Sequence, residues 1–322
     1  MALNDSQINK MVTWLRQQTK KHNHDNISRT EAYLKFYQQN PEIKWALLAS
    51  AVSRNAGYHI TLLQSTMFQS LLSTQIRVNF TLFFERANWL IFEDAYPQLL
   101  LYQLSKKYDA PLFSLLTNFQ VSSYIRQEWF HFWEKKDEGR LMVAQIINEQ
   151  THLEHQLIQT NFAQAYILNS APFILEDHAH LSYVLLPTLK KRIYGVTVSD
   201  FKKVEQRIKI GQELAHILFH PLCYGDIYAF LRKTTHTGSR NDYERLCEKW
   251  KSEQQTPLLR LALPSFTHEQ QSYVSWDLTR KQIKKYTKPH HDQVPKERTT
   301  WLKWKQKEWA PIQIALKAKN RR

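Results

Sequence analysis

Residues 28–57 read SRTEAYLKFYQQNPEIKWALLASAVSRNAG, and this stretch decides the fold. Ser28 and Glu31 stand at capping-box spacing, with the hydroxyl able to cap the backbone and the carboxylate to reach back. The helix they open carries Tyr33, Phe36 and Tyr37. Asn40 followed by Pro41 predicts an N-cap and first turn for a second helix. Its apolar residues Trp45, Leu48, Ala49 and Val52 recur at i, i+3, i+4 and i+7, the period of one helix face. Asn55 and Gly57 are expected to close it as C-cap residues. Two helices in succession, each with a bulky apolar face, must bury those faces against other helices.

The same signals continue outward. Thr61 to Tyr96 is apolar-rich and expected to be helical as far as Pro97, and Pro111 interrupts the next stretch. Ser122 or Ser123 is placed to cap a helix bearing Trp129, Phe130 and Trp133. Glu138 to Gln159 reads as one long amphipathic helix. Ser199 is expected to cap a helix over Asp200–Phe219, ended by Pro221, and Gly238-Ser239 to open one running through Trp250. Strand candidates are few, Tyr194–Val198 being the main one. The expected fold class is all-α: a compact multi-helix core domain, residues 1–275, followed by a basic helical C-terminal extension, residues 276–322.

Composition sharpens this. The chain of 322 residues is long enough for a sizeable core, and 43% apolar residues exclude global disorder. Six glycines are too few for a turn-rich β fold, and no glycine-rich phosphate loop is present. Cys223 and Cys247 are expected to be reduced thiols of a cytoplasmic protein. The N-terminal MALNDSQINK lacks an apolar signal-peptide core. The most apolar stretch, Val78–Phe92, contains Glu85 and Arg86 and is too short and charged to cross a bilayer. The net charge is +15, of which +11 lies between Arg280 and Arg322. Such a concentration points to a polyanionic partner for the C-terminal segment.

Three stretches carry a family resemblance. They are residues 29–58, from Arg29-Thr30-Glu31 through Asn40-Pro41-Glu42 to Gly57-Tyr58; Phe84–Phe92 continuing to Asp94–Leu99; and His236–Arg240 with Asp242–Arg245. In these the chain resembles the YppC-like family, a domain-of-unknown-function family of Bacillus-type bacteria. The resemblance implies a helical cytoplasmic bacterial protein and no particular chemistry.

Three constellations are candidates for function. Carboxylate-bridged dinuclear centres take a Glu-x-x-His pair from each of two helices and one further Glu from each of two others. Glu149 with His152 and Glu213 with His216 fit the paired spacing, and Glu85 and Glu176 supply the remaining carboxylates of a di-iron or di-manganese site. The competing reading is chance, in a chain with 14 histidines. His216 and His220 do not form a zincin motif, because Ile217 stands where the general-base glutamate is required. The second constellation is an anion seat of His236, Ser239, Arg240 and Arg245 at an expected helix N-terminus, set against an ordinary capped loop. Arg54 and Asn55 form a weaker seat of the same kind. The third is the C-terminal run in which Trp301, Trp304 and Trp309 alternate with Lys303, Lys305 and Lys307, ahead of Arg321 and Arg322. Lysines there would neutralise phosphates while indoles stack on bases, or the Trp face docks on the core.

No Gly-x-Ser-x-Gly elbow or Cys-His adjacency identifies a nucleophile. The sequence therefore leans away from an enzyme. The leading expectation is a helical protein that binds an anionic partner, nucleic acid first. The alternatives are a dinuclear-metal oxidoreductase and a protein-interaction or scaffold module.

Overall fold

The computed structural model describes residues 4–178, 182–246, 256–268, 273–288 and 294–302. Its helices are α1 (Asp5–His22), α2 (Asn26–Gln39), α3 (Lys44–Leu62), α4 (Thr66–Leu71), α5 (Thr74–Tyr108), α6 (Ser123–Lys135), α7 (Glu138–Leu153), α8 (Asn161–Ala163), α9 (Ala171–His178), α10 (Val204–Phe219), α11 (Tyr224–Lys233), α12 (Asn241–Glu244), α13 (Leu259–Ala262) and α14 (Arg280–Tyr286). A 3₁₀ segment, Phe113–Phe119, follows α5. Wide π turns, Glu154–Ile158 and Gln164–Leu168, extend α7 and α8. The protein is mostly helical, as its periodicity predicts, with one two-stranded antiparallel hairpin, β1 (Tyr183–Pro187) and β2 (Ile193–Thr197).

The caps differ from the expected ones for local reasons. Asp25, not Ser28, caps α2: its carboxylate accepts the Ser28 N–H at 2.7 Å. Asn40 ends α2 and its carbonyl takes the Ile43 N–H at 3.0 Å, so α3 begins only at Lys44. Gly57 does not terminate α3, which runs on to Leu62. A Cβ on Gly57 would stand 2.3 Å from Asn26 Oδ1 and 3.1 Å from the His236 ring, so the missing side chain makes room for packing. Pro97 lies inside α5 instead of ending it. Its interruption of the helical hydrogen bonding costs about 3 kcal/mol. The burial of Phe92, Tyr96, Leu99, Leu100 and Leu101 around it, at roughly 1.5–3 kcal/mol each, outweighs that cost.

The main core joins α2, α3, the second half of α5, α6, α7, α10 and α11 around Trp45, Phe92, Phe113, Trp129 and Phe230. A smaller cluster packs the first half of α5, through Phe80 and Phe83, on Leu157, Ile167 and Leu168 of the π turns. Asn55 of α3 grips the hairpin from inside: its Nδ2 donates to the Leu185 carbonyl at 2.6 Å and its Oδ1 accepts the Leu185 N–H at 2.8 Å. On the other edge, Arg298 N–H donates to the Ile193 carbonyl at 2.7 Å and Thr299 Oγ1 accepts the Ile193 N–H at 3.0 Å. Beyond them Leu302 is fully buried in the main core; Tyr286 also packs there, and Trp276 is buried outside it. Among the described residues no helix is long and apolar enough to cross a membrane.

Candidate functional site

Residues Arg86, Trp89, Leu90, Glu93 and Asp94 of α5 fall at i, i+3, i+4, i+7 and i+8, one continuous stripe along the helix. The stripe forms the floor of a cleft of about 960 Å³. Arg16, Lys20 and Asn23 of α1 form one wall. His152, His155 and Gln156, at the end of α7 and in its π turn, form the opposite wall, and Phe266–His268 with Tyr273 and Val274 form a third. Gln156 pins this last segment by a reciprocal pair, its Nε2 donating to the Val274 carbonyl at 2.6 Å and its Oε1 accepting the Val274 N–H at 3.2 Å. At this volume the cleft is large even for a small-molecule site.

Asp94 is held by a directed relay. The Trp129 indole can only donate, and it does so to Gln98 Oε1 at 2.9 Å. Gln98 must therefore turn its Nε2 toward Asp94, donating to Oδ2 at 2.9 Å. Ser122 Oγ donates to Asn148 Oδ1 at 2.7 Å, which likewise turns Asn148 Nδ2 onto Asp94 Oδ2 at 2.6 Å. Both donors converge on one oxygen. The other, Oδ1, is buried without a hydrogen-bond partner in a residue that lines the cleft. Burial pushes the Asp94 carboxyl up to about 7, against the pull of Asn148 and Gln98 and with help from the charge of Glu93. When Asp94 is protonated, the proton belongs on Oδ1, because Oδ2 already accepts two hydrogen bonds.

His152 lies one turn beyond Asn148 on the same face of α7. Its ring is buried, its Nδ1 has no partner, and burial, with the nearby charges of His155 and Arg86, lowers it to about 4. His268 Nε2 is also unpartnered, and burial holds that ring at about 4. Both imidazoles are therefore neutral at pH 7. The cleft joins these uncommitted polar atoms to cations and rings: Arg86 lies 4.5 Å from the Trp89 ring centre, and Trp89 in turn meets His268 at 5.5 Å. Behind the floor, buried Arg29 and Glu85 form an ion pair, and Asn23 donates to the Trp89 carbonyl at 3.2 Å and to Glu93 at 3.1 Å.

The residues singled out in the sequence are placed differently. Glu85 is committed to Arg29. Glu149 accepts from the Trp45 indole at 3.2 Å and from Gln150 at 2.8 Å, and its buried carboxyl is pushed up to about 7. His152 borders the cleft, Glu213 is half-buried, and His216 sits beside His220 with ring centres 5.6 Å apart. The Glu176 side chain lies outside the described residues. Among the described residues no three His, Cys, Asp or Glu side chains group as metal ligands.

The His236 cluster is an internal network. Asn26 Nδ2 donates to the Ser53 carbonyl at 2.7 Å, so its Oδ1 accepts from His236 Nε2 at 2.9 Å. Ser239 Oγ donates to the Thr256 carbonyl at 2.8 Å, and Arg240 bonds the Tyr243 hydroxyl at 2.8 Å and pairs with Glu244 at 3.0 Å. His236, Ser239 and Arg240 are buried, whereas Arg245 is exposed. The helix expected from Gly238 through Trp250 is the single turn α12, and residues 247–255 lie outside the described set. Arg54 donates to the Thr234 carbonyl inside the core. Trp301 packs on Tyr183 at 5.9 Å between ring centres. Lys303, Trp304, Lys305, Lys307, Trp309, Arg321 and Arg322 lie outside the described residues. Cys223 is a buried free thiol, and Cys247 is outside the described residues.

The cleft residues other than His152 were not anticipated. The available signal was the helical spacing of Arg86, Glu93 and Asp94 in a stretch apolar enough to be buried, where each polar residue demands a reason.

The sequence profile of the family described as "Protein of unknown function (DUF2515)" matches residues 21–311. The chain belongs to this DUF2515 family. It is similar to the uncharacterized protein YppC of Bacillus subtilis (strain 168), 44% identical over 261 residues, 81% of each chain. No solved structure matches it. The cleft's floor on α5 and most of its walls lie within the span that defines the family.

Proposed function

We propose that this DUF2515 protein binds single-stranded nucleic acid, with the cleft as its reading site. The observation that carries the proposal is the cleft's composition: cationic Arg16, Lys20 and Arg86 line it together with the rings of Trp89, Phe119 and Tyr273 and with Asp94, His152 and His268, which keep uncommitted atoms. Single-strand binders combine a cationic groove for the backbone with aromatic faces for the bases. Asp94 Oδ1 and the two imidazole nitrogens are then the groups that meet base edges. The basic C-terminal run, including Lys303, Lys305, Lys307, Arg321 and Arg322, supplies further phosphate contacts that do not depend on base identity, with Trp304 as a base-stacking ring.

The test is fluorescence anisotropy with a labelled single-stranded oligonucleotide across a salt series, on the full chain. For single strands the slope of log affinity against log salt is about −0.7 per neutralised phosphate. Replacing Arg16, Lys20 and Arg86 together by Gln is expected to flatten that slope by roughly 2. Replacing Lys303, Lys305, Lys307, Arg321 and Arg322 by Gln is expected to weaken binding equally for all sequences. Absence of binding by the unaltered chain at low salt, or unchanged binding after both replacements, refutes the reading.

A further inference from the structure

A second cavity, of about 140 Å³, lies between α2, α3, α5, α7, α10 and the hairpin. Its wall is mainly apolar, built from Leu48, Val52, Ile91, Ile146, Val184 and Leu214. Tyr33 also lines it, 2% exposed, and its hydroxyl is buried with no hydrogen-bond partner. The ring itself is fixed, edge-on to Trp45 at 5.5 Å and tilted on Phe92 at 5.0 Å. An unpartnered buried hydroxyl is unfavourable, and a bound acceptor would relieve it. The two charged residues at the wall, Glu149 and Arg207, are already engaged. Glu149 accepts from Trp45 and Gln150, and Arg207 pairs with Glu154 and donates to the Phe201 carbonyl at 2.7 Å.

We propose that this cavity binds a small neutral molecule with an apolar body about the size of a six-membered ring and one carbonyl-type acceptor for the Tyr33 hydroxyl. The volume sets the size, since an apolar protein cavity of about 150 Å³ takes up benzene. The lining sets the polarity, because a charged ligand would lose its hydration among aliphatic side chains without a free counter-ion. The unpartnered Tyr33 hydroxyl, a donor, sets the acceptor. With its carboxyl held up to about 7 by burial, Glu149 adds no full negative charge to the wall near neutral pH. The proposal stands apart from nucleic-acid binding: the two cavities share no lining residue.

Cyclohexanone and cyclohexane are the probes, titrated into the full chain and followed by ligand-observed NMR. Saturable binding of cyclohexanone is expected, tighter than that of cyclohexane. Tyr33→Phe removes only the unpartnered oxygen, so the chain should fold. The variant should weaken cyclohexanone about tenfold, the equivalent of one hydrogen bond, and leave cyclohexane unchanged. Ala49→Leu places a larger side chain at a wall position and should abolish binding of both. Ile146→Leu, a volume-conserving change in the same wall, should keep binding and guards against misreading a folding defect. The proposal is overturned if neither probe saturates, if Ala49→Leu binds as the parent does, or if Tyr33→Phe does not change the preference between the probes. Water alone at the Tyr33 hydroxyl, undisplaced by cyclohexanone, would equally overturn it.

Discussion

The His236 cluster and the α5 cleft contain the same kinds of residue: histidine, arginine, carboxylate and amide. In the cluster, His236, Asp242 and Ser239 are folded onto partners within the chain, Arg240 is paired with Glu244 and Tyr243, with its Nη2 left over, and Gly238 closes the loop against Leu259. In the cleft, a comparable set of buried groups is held in place yet keeps atoms of Asp94, His152 and His268 unpartnered. Polar residues committed to the fold stabilise it. Polar residues that are positioned but uncommitted cost stability, and are where a ligand would restore it.

The sharpest way to break this contrast is Asp242→Ala. Asp242 accepts the Thr237 N–H at 3.0 Å, the Thr237 hydroxyl at 2.6 Å and the Tyr58 hydroxyl at 3.3 Å. Its loss should cost about 3 kcal/mol or more, seen as a lower denaturant midpoint, while the folded fraction keeps its oligonucleotide affinity. A small stability loss there would mean that the cluster is not structural. Next in size is Gly238→Ala. Gly238 has φ +74°, and a Cβ would meet Leu259 Cβ at 2.5 Å, so about 2 kcal/mol should be lost.

In the cleft the sign should reverse. The Asp94 carboxyl is held up at about 7 from an ordinary 3.8, so between those values the folded chain keeps a proton that the unfolded chain has released. Its favourable contribution is therefore complete below about pH 4 and lost as pH rises through 7. Asp94→Asn cannot ionise, and can turn its carbonyl to Asn148 and Gln98. It should be more stable than the parent at pH 8, by about 1–2 kcal/mol, with the gap closing toward pH 5 in parallel melts. A variant less stable than the parent at pH 8 would place Asp94 with the structural cluster. The smallest effect is Lys20→Ala: stability within about 0.5 kcal/mol, with oligonucleotide affinity lowered a few-fold at low salt.

Helix content was legible because apolar spacing is local. Trp45, Leu48 and Ala49 share the buried face that their spacing requires, and Ser122 caps α6 as expected. Boundaries were less legible where a cap depends on a distant partner. Arg260 engages Asp25 and Ser28 from more than two hundred residues away, and no local pattern shows that Asp25 is the residue fixed there. Gly57 looked like a stop and proved to be a clearance for Asn26 and His236. Tyr194–Val198 was visible as a strand candidate, but its partner Tyr183–Pro187 was not, because Asn55 of α3 fixes that pairing from outside the hairpin. The cleft was least legible. Its floor is a helical stripe, but its walls come from α1, α7, residues 266–268 and residues 273–274, which only the tertiary fold brings together.

The seam between Ile193 and residues 298–302 bears on how the chain is made. Until Arg298 and Thr299 leave the ribosome, the outer edge of β2 lacks those two hydrogen-bond partners, and the seat of Leu302 is open. A nascent chain thus carries an exposed strand edge beside unfilled apolar surface until residues 298–302 have been made, the feature that invites pairing with other chains. Closing that seam makes synthesis past residue 302 a condition for a protected fold, and translation products broken off before residue 298 should be the ones that aggregate.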